Sequence, residues 1–174
     1  EVAGKELDKL GTAEERTRLS ALLSVRLAKG EEHRAGRVSA LRFRQEEPLM
    51  AVAGVSARKK NGETVSGDAG AWFKNDDGNL FVLLCDGMGS GPDAHRESTL
   101  AIRLLEKFLR AGVEPEDALR TLNSALALRG ETEGGFTTID LFQLDLFTGE
   151  AGIYKLGAAP TYIKRKGLVS RVTG

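Results

Sequence analysis

The apolar run Leu80-Phe81-Val82-Leu83-Leu84-Cys85 leads directly into Asp86-Gly87-Met88-Gly89-Ser90-Gly91, and an amphipathic stretch opening on Pro92 follows at once. No other feature narrows the fold as much. A strand without polar alternation is expected to be covered on both faces. Pro92 suits a first helical turn, and Ala101, Leu104, Leu105 and Phe108 form one stripe before Gly112, so a helix is predicted over 92–110. Upstream, Asn75-Asp76-Asp77-Gly78 separates the run from Ala71-Trp72-Phe73, which predicts a hairpin. With Asp77-Gly78 as a two-residue loop, Asp76 faces Asn79 and Asp86 lies opposite Ala69, beside Asp68.

The remaining elements follow from similar signals. Thr12 and Glu15 are spaced as a capping box ahead of Leu19, Leu22, Leu23 and Leu27, with Gly30 as a stop, which predicts a helix over 13–29. Segments 38–44 and 49–58 carry strand-like residues on either side of Glu46-Glu47-Pro48 and read as two strands joined by a turn. Pro115, Leu119, Leu122 and Leu126 predict a second helix over 115–128, ending near Gly130. Strands are expected over 136–147, 151–156, 161–165 and 168–172, with turns at Thr148-Gly149 and Lys166-Gly167. Along 136–147, Ile139 and Leu141 alternate with Phe142, Leu144 and Leu146 on both parities, which implies two-sided burial or a bulge.

Composition removes several function classes. Twenty-five basic residues cancel 25 acidic ones, so the overall positive field of a general nucleic-acid binder is missing and no nucleic-acid partner is expected. No apolar run approaches the ~18 residues that span a bilayer, and no leader-like segment opens the chain. The reading is a cytoplasmic protein, or the soluble domain of a membrane-anchored parent, without membrane contact from this segment. Cys85 stands alone, so it forms no internal disulfide or thiolate zinc site and reads as a small buried apolar residue.

Chemistry concentrates at Ser66-Gly67-Asp68 and Asp86 to Gly91. The hairpin brings both carboxylates to one sheet end, where two ionised groups repel and need a shared proton or a cation. Oxygen donors of this kind suit Mg²⁺ or Mn²⁺, and glycines leave the backbone open to a metal or phosphate. Turn chemistry alone also favours Asp and Gly. Rival motifs fail on particular positions. A dinucleotide loop needs its third glycine where Pro92 stands, a calcium loop centred on Gly78 would place Phe73 and Leu84 at ligand positions, and no Gly-Lys-Ser/Thr follows Gly87 or Gly89.

Asp86-Gly87-Met88-Gly89-Ser90-Gly91, with Ser66-Gly67-Asp68 before it and Gly134-Gly135-Phe136-Thr137-Thr138-Ile139-Asp140 and Gly157-Ala158-Ala159-Pro160 after it, resembles the stage II sporulation protein E phosphatases. These are metal-dependent serine/threonine phosphatases of the type 2C class. The resemblance covers roughly 38–174, implying a 1–35 helical lead-in and a partial phosphatase domain over 36–174. It implies an α+β fold, an α-β-β-α sandwich of antiparallel sheets flanked by helices, incomplete at the C-terminus. It also implies a two-ion Mn²⁺ or Mg²⁺ site, with Asp68, Asp86 and the Gly87 carbonyl as ligands and Gly89, Ser90 and Gly91 as the adjoining phosphate loop. A metal-bridging hydroxide would then hydrolyse phosphoserine or phosphothreonine on a regulatory protein, an anti-sigma-factor antagonist, without a covalent intermediate. The later segments that supply further metal aspartates in the family have no match before Gly174, and Asp140 and Asp145 are not assigned in their place. That departure leaves a second reading, a non-catalytic regulatory or interaction module with an incomplete metal site.

Other residues weigh less. His95 near the start of helix 92–110 could donate to a phosphate but reads first as solvated, and His33 more so. Lys164-Arg165-Lys166 and Arg171 suit an acidic phosphoprotein or a solvated hairpin edge. Trp72 and Phe73 must point to opposite sides of their strand. The N-terminal leucine stripe and the open edge of the strand ending at Val172 are the candidate homodimer surfaces.

Overall fold

A computed structural model describes residues 2–4, 11–35, 38–133 and 137–173. It divides into two compact units, 1–48 and 49–174. In the first, strands β1 (Val2–Gly4), β2 (Glu31–Ala35) and β3 (Val38–Arg42) form an antiparallel sheet in the order β1-β3-β2. Helix α1 (Ala13–Leu23) precedes β2. The second unit holds a four-stranded antiparallel sheet in sequence order, β4 (Asp68–Lys74), β5 (Asn79–Gly87), β6 (Thr137–Asp145) and β7 (Ala151–Leu156). Between β5 and β6 come α2 (Gly91–Arg110) and α3 (Pro115–Glu133), and the hairpin β8 (Thr161–Arg165) and β9 (Leu168–Val172) follows the sheet.

Alternation decides which face of the large sheet is dry. Phe73, Phe81, Leu83, Cys85, Ile139 and Leu141 face α2 and α3 and bury against Ala101, Leu105, Leu109, Ala118 and Leu122. Burial of Cys85 pushes its thiol up to about 12, which matches the inert apolar role expected of it. The other face carries Asp68, Trp72, Val82, Leu84, Asp86, Thr138, Asp140 and Phe142, set by the register. The cover expected on both faces of β5 is present on one. Leu84 is 52% exposed and Trp72 58%, whereas Phe73 on the helix side is buried.

Four local expectations are corrected. The first helix stops at Leu23 rather than residue 29, because Ser24 turns left-handed (φ 57°) and returns its N–H to Ala21 O. Leu27 instead bridges to Gln45, and Leu22 and Leu23 are exposed. Segment 49–58 forms no strand, and β3 pairs with 31–35 rather than with it. The charged run Glu31-Glu32-His33-Arg34 gave no apolar signal of a strand.

The third helix also outruns its expected end, continuing through Gly130 to Glu133. Finally, the β4–β5 loop has three residues, Asp76-Asp77-Gly78. Asn75 Oδ1 accepts from the N–H groups of Asp77 (3.2 Å) and Asn79 (2.9 Å), and Gly78 takes the left-handed conformation (φ +81°). Lys74 therefore faces Leu80, and every pair shifts by one residue from the two-residue-loop register. Residues Gly134, Gly135 and Phe136 of the resemblance lie outside the described residues.

Candidate metal centre

The one-residue correction tightens the site. Asp68 at the start of β4 is directly opposite Asp86 near the end of β5, so both side chains leave the same face as immediate neighbours. Asp86 is held above the ordinary carboxylate range, first by burial, then by its hydrogen bond to Asp68 and that residue's charge. Two facing carboxylates in this state share a proton or take up a cation.

Both carrier segments are built onto α2. Ser66 Oγ donates to Asp68 Oδ2 (3.2 Å) and accepts from the Asp68 N–H (3.3 Å). His95 Nδ1–H donates to Ser66 O (2.9 Å), and the hydroxyl of buried Ser98 donates to Gly67 O (2.6 Å). The Thr99 hydroxyl meets His95 Nε2 at 3.4 Å. His95 is thus a helix-to-strand tie rather than a solvated or phosphate-facing group. On β5, a Cβ at Gly87 would overlap the Ala94 carbonyl oxygen, so only glycine lets the strand pass this close to the helix. Thr137 Oγ1 donates to Asp86 O (3.0 Å), fixing the strand from its β6 side.

The glycine loop closes around α2's first turn. Gly89 (φ +94°) and Gly91 (φ +77°) occupy left-handed conformations that carry the chain from β5 into the helix. Ser90 is the extended N-cap residue, but its hydroxyl donates to Glu63 Oε1 (2.6 Å) instead of capping an amide, and the Glu63 carboxylate also lies against Gly91. A carboxylate therefore already stands where the loop was read as meeting phosphate.

Asp68 and Asp86 open onto a cleft of about 450 Å³, with Arg58 and Thr138 on its lining, Asp140 farther along β6, and Ala158-Ala159-Pro160 as one wall. Asp140 pairs with Lys155. Asp145 accepts from the N–H groups of Phe147 (2.7 Å) and Thr148 (3.1 Å), bonds that hold it below the usual range and tie it to a turn. Among the described residues no group of three or more His, Cys, Asp or Glu side chains could hold a metal. His33 lies in the first unit near Glu31 (3.9 Å). Lys164, Arg165, Lys166 and Arg171 are exposed along the β8–β9 hairpin.

The roles of Glu63, Lys155 and Thr161 escaped the sequence reading, as did the bond from Thr137 to Asp86, although Thr137 stands in the 134–140 stretch that carries the resemblance. Separations of 27 residues for Glu63–Ser90 and 51 for Thr137–Asp86 leave no local signal of those two contacts.

The sequence model of the stage II sporulation protein E family matches residues 76–173. Stage II sporulation protein E of Priestia megaterium is 36% identical over 119 residues, 68% of this chain and 20% of that protein. The Bacillus subtilis (strain 168) protein of the same name is 34% identical over 148 residues, 84% of this chain and 18% of its own length. The chain thus spans about a fifth of either relative. A solved structure of the PP2C phosphatase domain and a regulatory-domain fragment of the cell fate determinant SpoIIE from Bacillus subtilis matches with a TM-score of 0.72 and 31% identity. That match covers 93% of this chain and 49% of the other.

Proposed function

The chain belongs to the stage II sporulation protein E family, and from that premise we propose that it is a partial metal-dependent phosphatase domain acting on phosphoserine or phosphothreonine of a regulatory protein. The resemblance makes an anti-sigma-factor antagonist the substrate class. The observation that carries the reading is the in-register pair Asp68 and Asp86 at the mouth of the cleft. Its donor set fits one hard divalent cation, Mn²⁺ or Mg²⁺, with the Gly87 carbonyl as the proposed third oxygen. When bound, such a cation supplies Lewis-acid activation and neutralises phosphoryl charge.

The chain's own groups do the rest. Asp68 and Asp86 would hold the cation, while His95 and Ser98 hold the segment that aims Asp68. Arg58 on the cleft lining supplies a positive charge for the phosphoryl group. Gly89, Ser90 and Gly91 border the site at the N-terminus of α2, where amide groups favour a phosphoryl oxygen once Glu63 moves aside.

One observation favours the second reading, a non-catalytic module of the same fold. The described residues contain no third carboxylate grouped with the pair. Incubation of the chain with Mn²⁺ and a phosphoserine protein decides between them. Phosphate release that is lost in Asp86→Asn supports the enzyme, and Mn²⁺ binding without release supports the module.

A further inference from the structure

The Lys155 side chain is 2% exposed although it carries a charge. Burial of an ammonium is costly unless it is paired and hydrogen-bonded. Here Nζ pairs with Asp140 Oδ2 and donates to Thr161 Oγ1 (2.8 Å), while the Thr161 hydroxyl donates to the same Asp140 oxygen (3.0 Å). Three strands meet in this triangle: β6 through Asp140, β7 through Lys155 and β8 through Thr161.

The segment between β7 and β8 is the cleft wall. Past Leu156, Gly157 turns left-handed (φ +64°) and bridges in parallel to Ile139, and Ala158-Ala159-Pro160 then run along the cleft to Thr161. The wall is thus fixed at one end by a backbone bridge and at the other by the Lys155–Asp140–Thr161 triangle. Its side chains carry no hydrogen-bonding group, so they cannot select a phosphoryl group. They can meet the polypeptide on either side of one.

We propose that Asp140, Lys155 and Thr161 are positioning residues that hold the Ala158–Pro160 wall against the chain flanking the phosphorylated residue, making the site selective for phosphopolypeptide over small phosphate esters. This rests on the phosphatase reading above. Thr161→Val keeps the shape of the side chain and removes both hydroxyl bonds, and Thr161→Ser restores them.

The test uses the 174-residue chain with Mn²⁺, a dodecapeptide carrying one phosphoserine, and p-nitrophenyl phosphate. Thr161→Val is expected to raise KM for the peptide about 5–10-fold and to leave kcat, and both constants for p-nitrophenyl phosphate, within about twofold. Amide exchange over 157–161 should quicken about tenfold in the same variant, with β4–β6 unchanged. Thr161→Ser should return both readouts to the parent. Equal losses on the two substrates, or unchanged exchange over 157–161, overturn the proposal. If the parent hydrolyses neither substrate the phosphatase reading fails on its own, and a wall whose exchange is unaffected by Thr161→Val then also ends the positioning role.

Discussion

At the scale of single residues, the Asp68–Asp86 pair costs stability when no cation is bound. A folded-state value raised above the ordinary one means that folding favours the proton. The contribution of Asp86 is therefore fully present below the usual carboxylate range and is lost as pH rises through its raised value. Asp86→Asn removes the repulsion, and because the pair is partly solvated the gain is modest, roughly 0.5–1 kcal/mol at pH 7 or about 2–4 °C in Tm. Parent and variant should converge on acidification, and Mn²⁺ should raise the Tm of the parent while leaving the variant nearly unmoved. Thermal melts at pH 3, 5 and 7 with and without Mn²⁺ check the sign; a variant less stable than the metal-free parent at pH 7 would contradict it. Gly87 works differently, since its missing side chain lets β5 pass the Ala94 carbonyl. Gly87→Ala has to push backbone aside, at a cost of about 1–3 kcal/mol, visible as a lower urea midpoint with an unchanged slope.

Among elements, the two leucine-bearing helical signals diverge. In α2 and α3 the apolar stripes found a sheet to cover, and Leu105 and Leu122 are 0% and 1% exposed. In α1 the stripe found none, and Leu22 is 81% exposed. Leu122→Ala is therefore expected to cost about 2–5 kcal/mol and Leu22→Ala less than about 0.5. Denaturation of the two variants side by side measures the contrast, and comparable losses would mean that α1 is packed in solution. The same contrast explains what the sequence could disclose. Local signals located the helix starts within a residue of where they lie, because a cap, a first-turn proline and a stripe are short-range features. They could not report that Ser24 would turn the chain, because a left-handed non-glycine residue carries no signal in an apolar stripe, nor that 49–58 has no strand to pair with, because pairing depends on partners distant in sequence. The β4–β5 register turned on whether Asp76 belonged to the loop, a choice settled by Asn75 accepting two amide bonds.

For the whole molecule, the legible part of the site was the pair of carboxylates and the glycines around it, since a hairpin and a strand-to-helix turn are short-range structures. The illegible part was everything that long-range packing delivers: Thr137 against Asp86, Glu63 at the N-terminus of α2, and Lys155 against Asp140. These also set the charge of the cleft and so its capacity for cations. Asp68 and Asp86 supply two negative charges, Arg58 on the lining opposes one of them, and Asp140 is already matched by Lys155. One divalent ion over-neutralises that balance slightly. Two ions held about 3.5–4 Å apart would leave an excess of positive charge, with no third carboxylate among the described residues grouped with the pair to meet it. The 174-residue chain is therefore expected to bind one Mn²⁺, with a dissociation constant on the order of 0.1–1 mM. Its turnover of p-nitrophenyl phosphate should be several orders of magnitude below that of a two-metal phosphatase, because half of the clamp on the phosphoryl oxygens is missing. Titration of Mn²⁺ followed by its electron paramagnetic resonance signal counts the ions directly. A stoichiometry of two with rapid turnover would mean that carboxylates outside the described residues complete the centre, and Asp68→Asn would then lower the count instead of abolishing binding.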